Sequence, residues 1–409
     1  MKQGIRILTA VLSVMCAVVW CMASWFSSRL PDKYWINDTG VIQLSEWVTA
    51  VQTEPVGKYA SANSADTNTR QLSLRLFRFI PLKTATATVV DTPVVMLGGM
   101  PFGIKMYTKG VLVVRLSDVE TAAGLVNPAE RAGICVGDVI LSVDGVEVTT
   151  MTDVSKAIEA SKGKTLEMKI LRDGITFTAR FQPACSVNDQ CYKAGMWIRD
   201  SSAGIGTMTF YDPQTGMFAG LGHGVSDVDT GELLPISTGE VVSARIFDIV
   251  KGESGTPGEL CGSFAGTTLG ELYHNGDCGV YGALKHTGVM TQAVPMALAQ
   301  EVKEGPARVY TTVDGDEPAW YDVEIAQVRL GQNNARHMII HITDAVLLEK
   351  TGGIVQGMSG SPLVQDGKLV GAVTHVFIND PTKGYAIFAE TMLETAQNVA
   401  AEQELKEAS

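Results

Sequence analysis

A mainly β protein with one apolar N-terminal segment is what this sequence predicts, and three observations carry the prediction. Over residues 195–394 short apolar runs alternate with glycines, the pattern of a barrel or sandwich. Over residues 93–184 strand-like runs flank the tight-turn dipeptides Asp144-Gly145 and Asp173-Gly174. At the start, Lys2 and Arg6 precede an uncharged, mostly apolar run at 7–28 that Arg29 closes.

That first run is long enough to span a bilayer with its positive end inside, and Trp20 and Trp25 suit an interface. Cys21-Met22-Ala23 is an imperfect signal-peptidase site, so residues 1–30 are expected to be a membrane anchor. Everything after Arg29 then lies outside the cytoplasm. Residues 31–92 are expected to be an exposed tether followed by two short strands at 71–90, with 61–68 the least structured part.

The chain has 409 residues, enough for two or three domains, and 45% hydrophobic against 19% charged residues marks it as folded. Its formal net charge of -12 argues against a general nucleic-acid binder, because phosphate neutralisation needs clustered Lys and Arg. Peptides or proteins are the better partners. Of the cysteines beyond the anchor, Cys185 and Cys191 are close enough to bridge, and Cys135 has the apolar setting of a buried thiol. The His337/His341 spacing would need a helix to converge on a metal, and no Cys-x-x-Cys occurs, so neither a metal nor a cofactor is expected.

Residues 127–145, Asn-Pro-Ala-Glu-Arg-Ala-Gly-Ile-Cys-Val-Gly-Asp-Val-Ile-Leu-Ser-Val-Asp-Gly, look like part of a PDZ domain of the bacterial protease-associated type. The local chemistry agrees. A short helix at 128–132 stops at Gly133, Gly137-Asp138 turns into an apolar strand at 139–143, and Thr152 is expected to cap a helix with Val154, Ala157 and Ile158 on one face. Strands at 166–171 and 177–181 complete a domain over 93–184. The resemblance implies that backbone N–H groups near Phe102, Gly103 and Ile104 hold a peptide.

In the last domain strands are expected at 196–199, 206–211, 217–221, 241–249, 279–284, 307–313, 320–328, 338–342 and 368–376. A helix starts near Glu390, and 395–409 form a charged tail. The most chemically suggestive stretch is Gly357-Met358-Ser359-Gly360-Ser361-Pro362. A serine between glycines suits an exposed nucleophile, and Gly357 lets the N–H groups of Gly357 and Ser359 converge on a developing oxyanion.

A nucleophilic serine needs a base, and His223 in Gly220-Leu221-Gly222-His223-Gly224 has the least crowded setting of the six histidines. His375, on the strand after the serine, is its strongest rival. For a supporting carboxylate the residues alone leave Asp344, Asp227 and Asp277 open.

Together the apolar N-terminus, the PDZ-like run, Gly222-His223-Gly224, Ile342-Thr343-Asp344, and residues 353–362 resemble the SpoIVB peptidases of endospore-forming bacteria. The likeness continues through residues 371–377 and 379–382. It implies a chymotrypsin-like double β-barrel serine endopeptidase with Ser359 as nucleophile, His223 as base and Asp344 as supporting acid. It also implies export from the forespore, self-cleavage in the tether that releases the enzyme from its anchor, and cleavage of a membrane protein's ectodomain that triggers sigma-factor processing in the mother cell. The competing reading is a catalytically silent ectodomain that binds peptides.

Overall fold

The computed structural model describes residues 2–36, 41–44, 47–53, 69–285, 290, 292–331 and 335–408. Helix α1 (Lys2–Arg29) contains, over Ala10–Arg29, the one stretch among the described residues that is long and apolar enough to cross a membrane. The helix leads into a five-stranded sheet of β1 (Lys33–Ile36), β2 (Val41–Gln43), β3 (Val48–Thr53), β4 (Thr69–Leu76) and β5 (Ile80–Val89), in the order β1-β5-β4-β3-β2. Much of the expected tether is therefore folded. Val48 pairs with Leu76 and Thr53 with Gln71, and Tyr34, Ile36, Val48 and Ala50 are buried with Leu72 and Leu74. Three strands this short carry too few alternating residues to stand out before their partners are known. Residues 61–68, expected to be the least structured, lie outside the described residues.

The next elements are β6 (Val94–Leu97), β7 (Pro101–Leu116), α2 (Pro128–Arg131), β8 (Val139–Val143), α3 (Met151–Ser161), β9 (Leu166–Arg172) and β10 (Ile175–Phe181). They are followed by β11 (Met196–Tyr211), β12 (Met217–Gly220), β13 (Ile236–Val250), β14 (Glu259–Gly276) and β15 (Gly279–Leu284). Because β7 pairs with both β13 and β11, the order β7-β13-β14-β15-β12-β11 returns on itself as a first barrel. Phe102, Ile104, Met106, Met208, Phe218, Val241, Leu272 and Val280 fill it.

The long strands β7 and β11 serve two lobes. Their barrel halves meet at Phe102↔Gly206, while their other halves meet at Leu116↔Met196 and carry β8, β9 and β10 on the far edge of β7. A second core of Val111, Val113, Ile140, Val154, Ile158, Met168 and Phe181 lies there. This PDZ-like lobe thus interrupts the first barrel in sequence, and the strand foreseen at 196–199 and that at 206–211 are one strand.

The cap of α3 is Thr150 rather than the expected Thr152. Its side chain accepts from the Asp153 backbone N–H while Asp153 accepts from the Thr150 N–H, a reciprocal pair that only the residue three before an acidic N3 position can make. Thr150→Ala is expected to destabilise the chain by about 0.5–2 kcal/mol, read from denaturant unfolding. Cys135 is exposed rather than buried, because the turn it follows faces solvent, and all seven cysteines are free, Cys185 and Cys191 included.

The second barrel closes as β16-β17-β18-β21-β20-β19 and consists of β16 (Gly305–Thr311), β17 (Ala319–Val328), β18 (Met338–Ile342), β19 (Pro362–Gln365), β20 (Lys368–Phe377) and β21 (Asp380–Phe388). Between β18 and β19 lies α4 (Ala345–Thr351), which the sequence reading did not foresee. Helix α5 (Ala389–Glu407) runs through most of the expected charged tail and buries Met392, Leu393, Ala396 and Val399 against the strands.

Candidate active site

The turn between α4 and β19 is built by glycines that no other residue would fit well. Gly357 has φ +96 and Gly360 has φ +94, the left-handed region that an L side chain rarely adopts. The turn is then tied to the first barrel. Thr207 on β11 donates its N–H to the Ser359 carbonyl at 2.9 Å and its hydroxyl to the Gly357 carbonyl at 2.8 Å, while the Thr209 hydroxyl donates to the Gly360 carbonyl at 2.7 Å.

Two serines in this turn differ sharply. Ser361 is fully buried, its hydroxyl 2.6 Å from the Met358 carbonyl and 2.7 Å from the Thr311 hydroxyl, so it staples the turn from inside. Ser359 lines an open cavity, its hydroxyl donating at 2.7 Å to the Thr374 carbonyl on β20. The N–H groups of Gly357 and Ser359 donate to no other described group, so both are available to an oxyanion.

His223 lines the same cavity of about 290 Å³, whose apolar wall is made by Ile104, Met106, Ile205, Leu221 and Val225. It follows β12 through Leu221 at φ +64 and Gly222 at φ +70. A Cβ on Gly222 would sit 2.9 Å from the Thr374 side chain and 3.0 Å from that of Ile387, so the glycine is what lets this turn press against the second barrel. The Nδ1 of His223 lies 2.8 Å from the Gly224 carbonyl, which can only accept a hydrogen bond, so Nδ1 carries the proton and donates while Nε2 keeps the lone pair. Burial pushes the His223 pKa below its ordinary value of 6.5, opposed by that hydrogen bond, so the ring is neutral at pH 7.

Comparison with known families decides what this arrangement belongs to. Residues 190–393 match the profile described as SpoIVB peptidase S55, and residues 127–172 match the PDZ domain profile. The chain belongs to the SpoIVB peptidase family.

This S55 peptidase is a serine peptidase. Among solved structures it is similar to the Rv3671c protease of M. tuberculosis in an inactive form, at 15% identity and a TM-score of 0.29 over 48% of this chain and 84% of that one. It is also similar to the HtrA-type protease AlgW with a decapeptide, at 13% identity and a TM-score of 0.30 over 49% of this chain and 54% of that one. A Mesorhizobium japonicum protein described as a zinc metalloprotease, mll0638, is 36% identical over 97 residues, which are 23% of this chain and 26% of that protein. The S55 peptidase thus spans about a quarter of that relative's length.

The carboxylates expected beside His223 are held elsewhere. Asp344 caps α4, accepting from the N–H groups of Val346 and Leu347 at 2.9 Å each and from that of Asp322 at 3.3 Å. An aspartate that begins a helix satisfies the helix's free N–H groups first, and none of these partners is His223. Asp227 is buried in the loop after His223, where it accepts from the N–H groups of Asp229 and Thr230 and pairs with Arg199. Asp277 is exposed on the turn between β14 and β15.

A residue missed in the sequence holds the His223 loop. Asn275, buried at the end of β14, accepts from the Val225 N–H at 2.8 Å and donates to the carbonyls of Val225 at 2.8 Å and Leu234 at 3.0 Å. The Asn-Gly pair at 275–276 reads as an ordinary turn, which hid it.

Phe102, Gly103 and Ile104, expected to hold a peptide in the PDZ domain, instead sit in the barrel half of β7. Their backbones pair on one side with Gly206, Ile205 and Gly204 and on the other with Ser243, Val242 and Val241, which leaves no free edge for a peptide. Ile104 contributes to the wall of the catalytic cavity instead. The groove of the PDZ-like lobe lies between α3, through Ser155, Ile158 and Glu159, and the first residues of β11, through Met196, Trp197 and Ile198.

Proposed function

We propose that this enzyme is a membrane-anchored, self-cleaving endopeptidase in which Ser359 attacks the peptide carbonyl and His223 takes its proton. The observation that carries the assignment is the shared cavity: Ser359, His223 and two undonated backbone N–H groups border one apolar pocket. For attack, the Ser359 hydroxyl leaves the Thr374 carbonyl and turns its proton toward Nε2 of His223. The oxygen that becomes negative is received by the N–H groups of Gly357 and Ser359. His223 then returns the proton to the leaving amine, and water, activated by the same imidazole, releases the acyl group from Ser359.

The third role of a triad, fixing the base's tautomer, falls to the Gly224 carbonyl rather than to Asp344. The apolar wall of Ile104, Met106, Ile205, Leu221 and Val225 favours substrates with an aliphatic side chain beside the scissile bond. Family membership and the helix at Ala10–Arg29 support the finer reading. In that reading the enzyme is exported from the forespore, cuts itself on the membrane side of Gln71, and cleaves the ectodomain of a membrane protein that restrains sigma-factor processing in the mother cell.

Two measurements test this reading. A serine-directed phosphonate is expected to modify Ser359 and not Ser361, as located by peptide mass spectrometry. New N-termini are expected to accumulate in the wild-type chain and to be absent from Ser359→Ala. Labelling at Ser361, or the same N-termini in Ser359→Ala, would refute the assignment.

A further inference from the structure

We propose that His375 is a positioning residue for peptide cleavage, its uncharged ring face bearing the positive charge that His223 acquires when it takes the serine proton. The proposal rests on His223 being the base. It starts from what the site lacks: no acidic side chain is hydrogen-bonded to His223 among the described residues. In a triad the carboxylate both orients the imidazole and stabilises the imidazolium. Here the Gly224 carbonyl does the first. Only a neutral oxygen is left for the second.

A second imidazole lies against the first. The His375 ring lies with its centroid 4.7 Å from that of His223, tilted by 38°. It is carried by β20 one residue beyond Thr374, whose carbonyl holds the Ser359 hydroxyl, so backbone geometry fixes it relative to the nucleophile. A cation within about 6 Å of an aromatic face is attracted to it, and desolvation strengthens the effect. The attraction needs the second ring to be neutral. The groups acting on His375 keep it so, since burial, the imidazole of His223 and the guanidinium of Arg336 together lower its pKa to about 4.

A second observation sets the role apart from packing. The Nδ1 of His375 is buried with no hydrogen-bond partner among the described residues. A buried nitrogen without a partner destabilises the fold. Phenylalanine keeps the ring face and removes that atom, whereas leucine fills similar space without a π face.

The test uses the full chain in detergent micelles and a peptidyl diphenyl phosphonate, with the second-order rate of Ser359 labelling measured against pH. His375→Leu is expected to slow labelling by roughly 3- to 30-fold, with its acid limb moved to lower pH because the imidazolium has lost a stabilising face. His375→Phe is expected to label within about threefold of wild type and to melt at a higher temperature. If leucine labels as fast as phenylalanine, or phenylalanine as slowly as leucine, the ring face is not what acts. His223→Ala serves as the separating control. Wild-type labelling by that variant would overturn the base itself, whereas slow labelling by it together with equal rates for the two His375 variants would overturn only the role of His375.

Discussion

Ser359→Ala and His223→Ala, made singly, are each expected to lower kcat/KM for peptide cleavage by at least roughly 10⁴-fold, and the double variant is expected to lose little more. Ser359 supplies the bond-forming oxygen and His223 the imidazole that lines the same cavity and takes its proton, so removing either disables one concerted step. Equal single and double losses distinguish a working pair from two independent contributions, which would multiply. The residual rate, from the backbone N–H groups of Gly357 and Ser359 and from substrate binding, survives in all three variants.

The wild-type pH profile follows from the same assignment. Burial lowers the His223 pKa below 6.5, and the base works only when neutral. Activity is therefore expected to rise with pH on a limb centred below 6.5 and to be flat through neutrality. A limb centred above 6.5 would contradict the buried, neutral imidazole, and additive losses in the double variant would contradict the pair.

The parts of the site that were legible from sequence are those marked by backbone demands local to a few residues. Gly357, Gly360 and Gly222 announce turns that only glycine makes easily, and Ser359 and His223 are conspicuous within them. The supporting residues were not legible, because their roles come from contacts between distant parts of the chain. Thr207 reads as one strand residue among many, yet it ties the serine turn 150 residues away to the first barrel. Asp344 stands at a strand end as a catalytic aspartate would, but the helix that follows claims its oxygens.

Fold elements divide in the same way. β18 was expected at 338–342 and is found at Met338–Ile342, an isolated apolar run with clear edges. β14 was missed although it has 18 residues. Gly262 and Gly270 punctuate it like turns. In the structure they permit close cross-strand approach, since a Cβ would meet the Arg245 carbonyl at 2.8 Å or the Ala283 carbonyl at 2.1 Å. The Gly-x-Pro-Phe-Gly-Ile stretch that looked like a PDZ carboxylate loop was misplaced for a topological reason. Its partners come from residues 204–206 and 241–243, on the far side of the inserted lobe in sequence.

Gly360→Ala is expected to inactivate the enzyme and to destabilise it by several kcal/mol, the largest effect of any single methyl group near the site. An alanine Cβ there would lie 1.9 Å from the Thr207 carbonyl oxygen and 2.5 Å from the Leu221 nitrogen. Neither can yield as a flexible side chain would. Thr207 is the residue whose N–H fixes the Ser359 carbonyl, and Leu221 begins the turn that carries His223. The backbone at φ +94 adds about 1–3 kcal/mol of strain, and forcing the clash apart adds about 1–3 kcal/mol more. Relief of the overlap must push the nucleophile turn away from the first barrel, which separates Ser359 from His223. Gly367→Ala is the matched control, since Gly367 has a similar φ of +77 but open space around its Cβ position. It is expected to cost only the backbone strain, about 1–3 kcal/mol, and to keep wild-type labelling by the phosphonate. If Gly360→Ala retains wild-type stability and labelling, the two barrels are not held in register through this contact.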